Sequence, residues 1–224
     1  MALAYLGLSI IPFLSRGAIV KAARRLGAVG YRLSGKTRKI ALANLDLAFG
    51  SSLSQKEKES IALSSFQTLA MVLLDLFWFA RHTSDRILKY VAMDPTSEAL
   101  RQTKPAIAVT GHFGNWEILG QAVALVDPPF LGIAAHLKNS RADRLLTRLR
   151  GGGSQRVAYR EGAMREAVSV LKEGGRVGLL LDQNVLPKAG GVFVDFFGLP
   201  VPMSSAAERL SRLTGFPIIF GFCV

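Results

Sequence analysis

The stretch Ile107-Ala-Val-Thr-Gly-His-Phe-Gly-Asn-Trp-Glu-Ile-Leu119 decides the fold of the second half of this chain. It begins in an apolar run, Ala106–Thr110, and then passes through two glycines within four residues. Asn115 follows, and asparagine is a favoured residue at the start of a helix. The pattern predicts a buried strand over Ala106–Thr110, a tight turn, and a helix over Trp116–Ala124.

The same alternation of short apolar runs and amphipathic stretches continues to the end of the chain. Further strands are predicted over Phe130–Ala135, Arg156–Tyr159, Val177–Leu181 and Pro217–Phe222, with helices over Ser140–Arg150, Ala163–Lys172 and Ser205–Thr214. Alternation of this kind favours a mostly parallel sheet with helices packed on it. Since the chain stops inside the apolar run Ile218–Val224, we expect it to be incomplete at its C-terminus.

The first hundred residues have a helical pattern. Helices are predicted over Gly17–Leu33 and Thr37–Phe49, and a capping box formed by Ser54 and Glu57 begins a third that runs to about Ala80. The apolar stripe at its end is typical of a buried core, although it is also suited to lining an acyl groove. We therefore expect an α/β protein with a helical, membrane-facing part over residues 1–100 and an α/β core over residues 101–224.

The charge of the chain indicates an anionic partner. Its 224 residues include 28 Lys and Arg but only 16 Asp and Glu, a net charge of +12. Residues 1–50 carry eight basic side chains and one acidic one, so +7 of that charge follows the apolar opening Met1 to Leu14. This opening is too short to span a bilayer and lacks the basic start of a secretory signal. An apolar segment before a basic helix is typical of proteins that lie on anionic lipid, with a solvated helix face as the alternative.

Several other classes of function are not supported. The basic residues are not interleaved with aromatic ones, as nucleic-acid binding favours, and the single Cys223 fits a reducing, cytosol-facing protein. The segment 30–37 matches G-x4-G-K-[ST], but a basic helical pattern precedes it where a nucleotide-binding loop needs a strand. The three histidines lack metal-ligand spacing and no G-x-S-x-G is present. The sequence therefore predicts no cofactor, no metal and no serine nucleophile.

His112 and Glu117 are the candidates for catalysis. His112 follows the first predicted strand, and open α/β sheets bind their ligands at the carboxyl ends of strands. If the glycine-containing turn folds the Glu117 carboxylate back onto the imidazole, it fixes the tautomer and makes His112 a better base. The backbone N–H groups of Gly114 and Asn115 then lie near a positive helix end, a possible oxyanion site. The alternative is a His–Glu pair that only braces the turn.

The residues 112–117, His-Phe-Gly-Asn-Trp-Glu, resemble the H-x4-(D/E) motif of the glycerolipid acyltransferases, in the form found in the lipid A lauroyl/myristoyl acyltransferases. The segment from Arg38 to Phe49, Asp182-Gln183, and Gly191-Val-Phe-Val-Asp-Phe-Phe-Gly198 are similar to further stretches of that family, in the same order. Asp195 departs from an expected proline, and we expect the chain to lack the C-terminal region that the family carries after the strand at Pro217–Phe222.

The resemblance implies a reaction and its partners. His112 would take a proton from an acceptor hydroxyl, which attacks an acyl thioester directly, and Glu117 would orient His112. The donor would be an acyl chain on acyl carrier protein, or acyl-CoA, and the acceptor an anionic, phosphorylated glycolipid. Such an enzyme would be monotopic on the cytoplasmic face of the inner membrane. The alternatives are an acyl-CoA-dependent enzyme acting on another glycolipid, such as a phosphoinositol mannoside, and a non-catalytic lipid-binding protein.

The remaining candidate residues concern substrate binding. Arg141, Arg144 and Arg148 fall at helical steps of three and four and form a basic face suited to phosphate, with a solvated face as the alternative. The resemblance places Arg150 near the acceptor's phosphate and Asp182 at the rim of the site. The apolar run Val192–Phe197 is expected to shape the acyl pocket through Phe193, Phe196 and Phe197. An ordinary buried strand has the same pattern and is the alternative.

Overall fold

In the part of the chain that the structure describes, helices predominate up to residue 102. The computed structural model describes residues 7, 9–137, 139–150, 155–159 and 162–224. The predicted apolar opening therefore lies partly outside the described residues, since 1–6 and 8 are not among them. After a short 3-10 turn at Ile11–Phe13, the helices are α1 (Arg16–Leu33), α2 (Gly35–Phe49), α3 (Gln55–Phe79), α4 (Thr83–Tyr90) and α5 (Thr96–Gln102).

The start of α3 confirms the predicted capping box. The Ser54 side chain accepts a hydrogen bond from the Glu57 backbone N–H at 3.3 Å, and the Glu57 carboxylate accepts from the Ser54 N–H at 2.7 Å. Two of the helix's otherwise unsatisfied N–H donors are bonded in this way. Helix α1 packs closely along α3. The two backbones approach so closely at Gly27 that a side chain there would overlap the backbone of Gln67.

The stripe at the end of α3 is mostly core. Val72, Leu76, Trp78 and Phe79 are buried, whereas Leu73 on the opposite side of the helix is half-exposed. By length and composition α3 is also apolar enough to cross a membrane, a property that core helices share.

A five-stranded parallel sheet forms the second part of the chain. Its strands are β1 (Ala106–Thr110), β2 (Phe130–Ala134), β3 (Arg156–Tyr159), β4 (Arg176–Leu180) and, at the end of the chain, β7 (Ile218–Phe220). They lie in the order β3-β2-β4-β1-β7 with every pair parallel. Four helices connect them: α6 (Trp116–Val126), α7 (Ser140–Arg150), α8 (Ala163–Lys172) and α9 (Ala206–Thr214). The predicted α/β fold is confirmed.

Two apolar clusters hold these layers together. The first lies between the sheet and helices α8 and α9, and includes Ile107, Leu131, Val177 and Leu171. The second joins α6 to the N-terminal helices through Ile118, Ile19, Trp78, Phe79 and Ile87. Helix α6 begins directly after the His112 turn, so this second cluster fixes the turn against the N-terminal helices.

A two-stranded antiparallel hairpin stands apart from the sheet. Its strands are β5 (Gly191–Phe196) and β6 (Leu199–Ser204). Phe193, Phe196 and Phe197 are 62%, 56% and 51% exposed, so the described residues do not enclose them, and their role in an acyl pocket stays a prediction. The alternative of an ordinary buried strand is wrong, because most of β5 and the start of β6 are exposed.

Candidate active site

His112 and Asp182 meet at the carboxyl edge of the sheet. His112 lies two residues after β1 and Asp182 two residues after β4, and the last residues of these strands, Thr110 and Leu180, are partners in the parallel register. One carboxylate oxygen of Asp182 lies 2.8 Å from His112 Nδ1, and the other accepts a hydrogen bond from the His112 backbone N–H at 2.6 Å. Both side chains are partly open to solvent.

This contact determines which ring nitrogen acts as a base. A carboxylate facing Nδ1 favours a proton on that nitrogen, because only an N–H can donate to it. Nε2 is then the lone-pair nitrogen and the atom able to accept a proton from a ligand. The Trp116 ring packs edge-on against the imidazole at 4.8 Å between centroids, which limits its rotation.

Glu117 bonds to Arg150 rather than to His112. It lies buried in the first turn of α6, where its two oxygens accept from Arg150 Nε at 2.8 Å and Nη2 at 2.5 Å. Among the described residues, the carboxylate on the imidazole is therefore that of Asp182, which was expected at the rim. The predicted Glu117–His112 bond is absent because the strand register brings Asp182 to the ring, while the last residue of α7 meets Glu117.

Arg150 is held in the charged state. Burial alone would lower the pKa of its guanidinium, but the bonds to Glu117 offset this and leave the pKa raised. A bidentate arginine–carboxylate pair of this kind has a well-defined geometry. Arg150 lines a cavity of about 2110 Å³ together with His112 and Glu117.

The predicted oxyanion site is wrong for the Asn115 N–H. This group donates to the Cys223 carbonyl oxygen at 2.7 Å, so the chain after β7 occupies it. Gly114 has a φ of +60°, and a side chain there would overlap the same carbonyl oxygen. The turn therefore requires glycine at this position. The Gly114 N–H stays a predicted oxyanion donor.

Asn115 begins α6 as predicted, and it also connects to a buried charge that sequence reasoning missed. Its Oδ1 accepts from the Ile118 N–H at 3.1 Å, while its Nδ2 donates to Asp75 at 2.8 Å. Asp75 is 1% exposed and forms an ion pair with Arg16. Burial raises the pKa of the Asp75 carboxyl, and the bonds from Arg16 and Asn115 oppose that rise. The available signal was one acidic residue inside the apolar run 69–80.

The arginine face predicted on α7 is formed. Arg141, Arg144 and Arg148 are exposed, whereas Leu149 on the other side of the helix is buried. Arg144 and Arg148 lie outside the lining of the cavity that holds His112, while Arg150 lies within it. The structure thus separates Arg150 from the other two arginines.

A second histidine, His136, contacts helix α7. It follows β2 by two residues, and its Nδ1 lies 2.7 Å from the Asp143 carboxylate. Its ring stacks on Tyr159 at 3.5 Å between centroids. The hydrogen bond from the Leu137 backbone N–H and, next, the bond to His136 hold the pKa of Asp143 below its ordinary value. The described residues contain no group of three or more side chains suited to a metal ion.

The fold and the edge of the sheet define a class of protein: an α/β protein with a histidine–aspartate pair at the carboxyl ends of its parallel strands. The family model of the bacterial lipid A biosynthesis acyltransferases matches residues 1–224. The chain belongs to this family, as the resemblance in the H-x4-E segment implied. It is an acyltransferase of lipid A, and hence lipopolysaccharide, biosynthesis, and it requires an acyl donor and a lipid acceptor. No curated protein matches the chain.

Proposed function

We propose that this enzyme transfers a fatty acyl chain from an acyl thioester to a hydroxyl group of a lipid A-type glycolipid precursor, with His112 as general base. The observation that carries the proposal is the two-point contact between His112 and Asp182 at the sheet edge. It fixes the imidazole and leaves Nε2 as its basic atom, which is what proton transfer from an alcohol requires.

The reaction needs no covalent acyl-enzyme. The acceptor hydroxyl gives its proton to His112 Nε2 while its oxygen attacks the thioester carbonyl carbon. The tetrahedral intermediate then expels the thiolate, and the imidazolium returns the proton to the sulfur. Asp182 stabilises the imidazolium formed in between, as a carboxylate on Nδ1 does in other histidine bases. The Gly114 N–H is the proposed donor to the oxyanion.

Glu117 belongs to the catalytic machinery in this proposal, but as a positioning residue for Arg150. The ion pair uses two of the five N–H donors of the guanidinium and fixes its plane. The remaining donors are suited to an acceptor phosphate, since arginine binds phosphate in a bidentate manner. Arg144 and Arg148, exposed on the same helix, would extend this positive surface toward a second anionic group of the acceptor.

The donor is proposed to be acyl carrier protein, with acyl-CoA as the alternative. A net charge of +12 suits a docking partner with an acidic surface, because complementary charge speeds association. The exposed arginine face of α7 lies next to the cavity and is available to such a partner.

The proposed location is the cytoplasmic face of the inner membrane, with the protein lying on the lipid surface. Two observations support it: the basic residues of α1 and α2 are largely exposed, and one face of the β5–β6 hairpin is entirely apolar. That face consists of the cross-strand pairs Val192–Met203, Val194–Val201 and Phe196–Leu199. The tip of the hairpin contacts the end of α2 through Phe197 and Phe49. Anionic lipid binds such a combination.

The experiment that tests the function is acyl transfer by the purified enzyme to one acceptor at a time, held in vesicles of otherwise identical composition. The radiolabelled donors are an acyl chain on acyl carrier protein (acyl-ACP) and acyl-CoA. Each donor is offered with the lipid A-type precursor and, separately, with a phosphoinositol mannoside. We expect transfer from acyl-ACP to the lipid A-type precursor, and none by the His112→Ala variant. Transfer only to the mannoside would establish the alternative acceptor, and lipid binding without turnover would indicate a non-catalytic protein. Mass spectrometry of lipid A from cells lacking or overexpressing the gene gives the acceptor in vivo.

A further inference from the structure

Asp75 is a buried carboxylate that the proposed reaction does not use. It lies near the end of α3, is 1% exposed, and bonds to Arg16 at the start of α1 and to Asn115 at the start of α6. Burying a carboxylate costs several kcal/mol unless it is paired, and buried ion pairs are often no more stabilising than apolar residues of the same size. Stability alone therefore does not account for an ion pair at this position.

The choice of asparagine at position 115 points to the function of this contact. Serine or aspartate would cap the helix as well as asparagine does. Aspartate has no donor, and a serine hydroxyl has one oxygen for both bonds, whereas the amide accepts from the Ile118 N–H through Oδ1 and donates to Asp75 through a separate atom, Nδ2. The Asn115 backbone is bonded on both sides as well, its N–H to Cys223 and its carbonyl oxygen to the Leu119 N–H. Every polar group of this residue is thus bonded.

We propose that Asp75 is a positioning residue for the catalytic turn: it holds the Asn115 side chain and thereby fixes His112, three residues earlier, relative to the N-terminal helices. Arg16 keeps the carboxylate in place, and its guanidinium also lies over the Trp78 ring at 5.2 Å. This inference rests on the proposed function, in which His112 is the reacting base.

The expected effect is on turnover rather than on substrate binding. A displacement of about 1 Å in a reacting group costs about 100-fold in rate, whereas binding residues elsewhere keep their contacts. Asn115→Asp keeps an oxygen for the helix cap but removes the donor and places a second carboxylate against Asp75. We expect this variant to lower kcat about 100-fold, with the KM values of donor and acceptor changed by no more than about two-fold.

A reversed pair tests the hydrogen bond itself. In the double variant Asp75→Asn with Asn115→Asp, the amide at position 75 donates to the carboxylate at position 115, which still caps the helix. We expect this double variant to recover at least about tenfold of the kcat lost in Asn115→Asp, a coupling typical of residues in direct contact.

Lys58→Met is the matched control, because Lys58 is also buried on α3 and paired, with Asp46 and the Gly50 carbonyl oxygen. We expect it to lower the unfolding temperature and leave kcat unchanged.

The measurements are steady-state acyl transfer, thermal unfolding, and hydrogen exchange of the peptide covering residues 111–119. Faster exchange in that peptide for Asn115→Asp, and slower exchange again in the reversed pair, would support the proposal even if no tested substrate is acylated by the wild type. A wild-type enzyme that acylates none of the tested substrates would count against the proposed function and not against the positioning role of Asp75. A wild-type kcat and exchange rate in Asn115→Asp, or no recovery of either in a folded reversed pair, would overturn the positioning role.

Discussion

The contact between Asp182 and His112 leads to a kinetic prediction, because the structure gives the orienting role to Asp182 whereas the sequence spacing gave it to Glu117. The perturbations are Asp182→Asn and Glu117→Gln, each of which removes a charge and keeps the shape. In the structure the Asp182 oxygens lie 2.8 Å from Nδ1 and 2.6 Å from the His112 N–H, whereas both Glu117 oxygens bond to Arg150. The two variants should therefore fail in different ways.

Asp182→Asn should lower kcat by about 10³- to 10⁴-fold. An amide can turn its NH₂ toward Nδ1 and so place the ring proton on Nε2, which then cannot accept another proton. The same aspartate-to-asparagine change in a serine-protease triad lowers kcat by about 10⁴. His112→Ala should cost about 10²- to 10⁴-fold, as the removal of a general base generally does. Since the two residues act as one unit, the double variant should be little worse than His112→Ala.

Glu117→Gln should act on the acceptor instead. The amide weakens the hold on Arg150, so the acceptor KM should rise by more than kcat falls, because phosphate binding contributes to ground state and transition state alike. The assay is steady-state transfer from labelled acyl-ACP at varied acceptor concentration.

The reasoning would be refuted if Asp182→Asn kept a near wild-type kcat while Glu117→Gln lost as much as His112→Ala and combined with it non-additively. Glu117 would then be the orienting residue, as the spacing in the sequence predicted, and the catalytic arrangement would differ from the one described. Transfer by His112→Ala at a near wild-type rate would exclude a general-base role for this histidine altogether.

Three further predictions concern the membrane, the acceptor and acid stability. Phe196→Ser on the apolar hairpin face should weaken sedimentation with anionic vesicles at high salt, where the electrostatic part is screened, whereas Leu213→Ser, equally exposed on α9, should not. Equal loss in both variants would contradict a membrane role for the hairpin. Arg144→Ala with Arg148→Ala should raise the acceptor KM in the same transfer assay and leave the unfolding temperature unchanged, because both side chains are exposed. Burial alone would raise the pKa of Asp127, but its ion pairs with Lys104 and Arg176 hold that pKa below the ordinary value. The stability this provides is present above the unfolded-state pKa and is lost as the pH falls through the folded-state pKa, so Asp127→Asn should flatten the fall of unfolding temperature in acid.

Local patterns were sufficient to predict most of the secondary structure. The strand Ala106–Thr110, the helix Ser140–Arg150 and the capping box at Ser54 depend on residues within one or two turns of each other, and the structure confirms all three. The hairpin was missed because its two strands are both strongly apolar, and periodicity alone does not tell an exposed pair from a buried strand.

The partners of the site residues could not be predicted in the same way, because they depend on strand order. Glu117 is near His112 in the sequence, and that proximity suggested a bond. Asp182 is seventy residues away, and it reaches the imidazole because β4 lies next to β1 in the sheet. Asp75 was missed because its contact with Asn115 depends on how α3 packs against the start of α6, which no local pattern shows.

Strand order nevertheless makes the site simple once it is known. His136, Asp182 and His112 each lie two residues after the last residue of their strands, and those strands, β2, β4 and β1, are neighbours in the sheet. In a parallel sheet, residues at equal distance past the strand ends lie side by side along one edge. His112 and Asp182 meet from two short loops of equal offset, whereas His136, at the same offset after β2, bonds to Asp143 instead. Because Asp182 contacts the imidazole, a conservative change there acts on His112 directly, whereas a change at Glu117 acts first on Arg150.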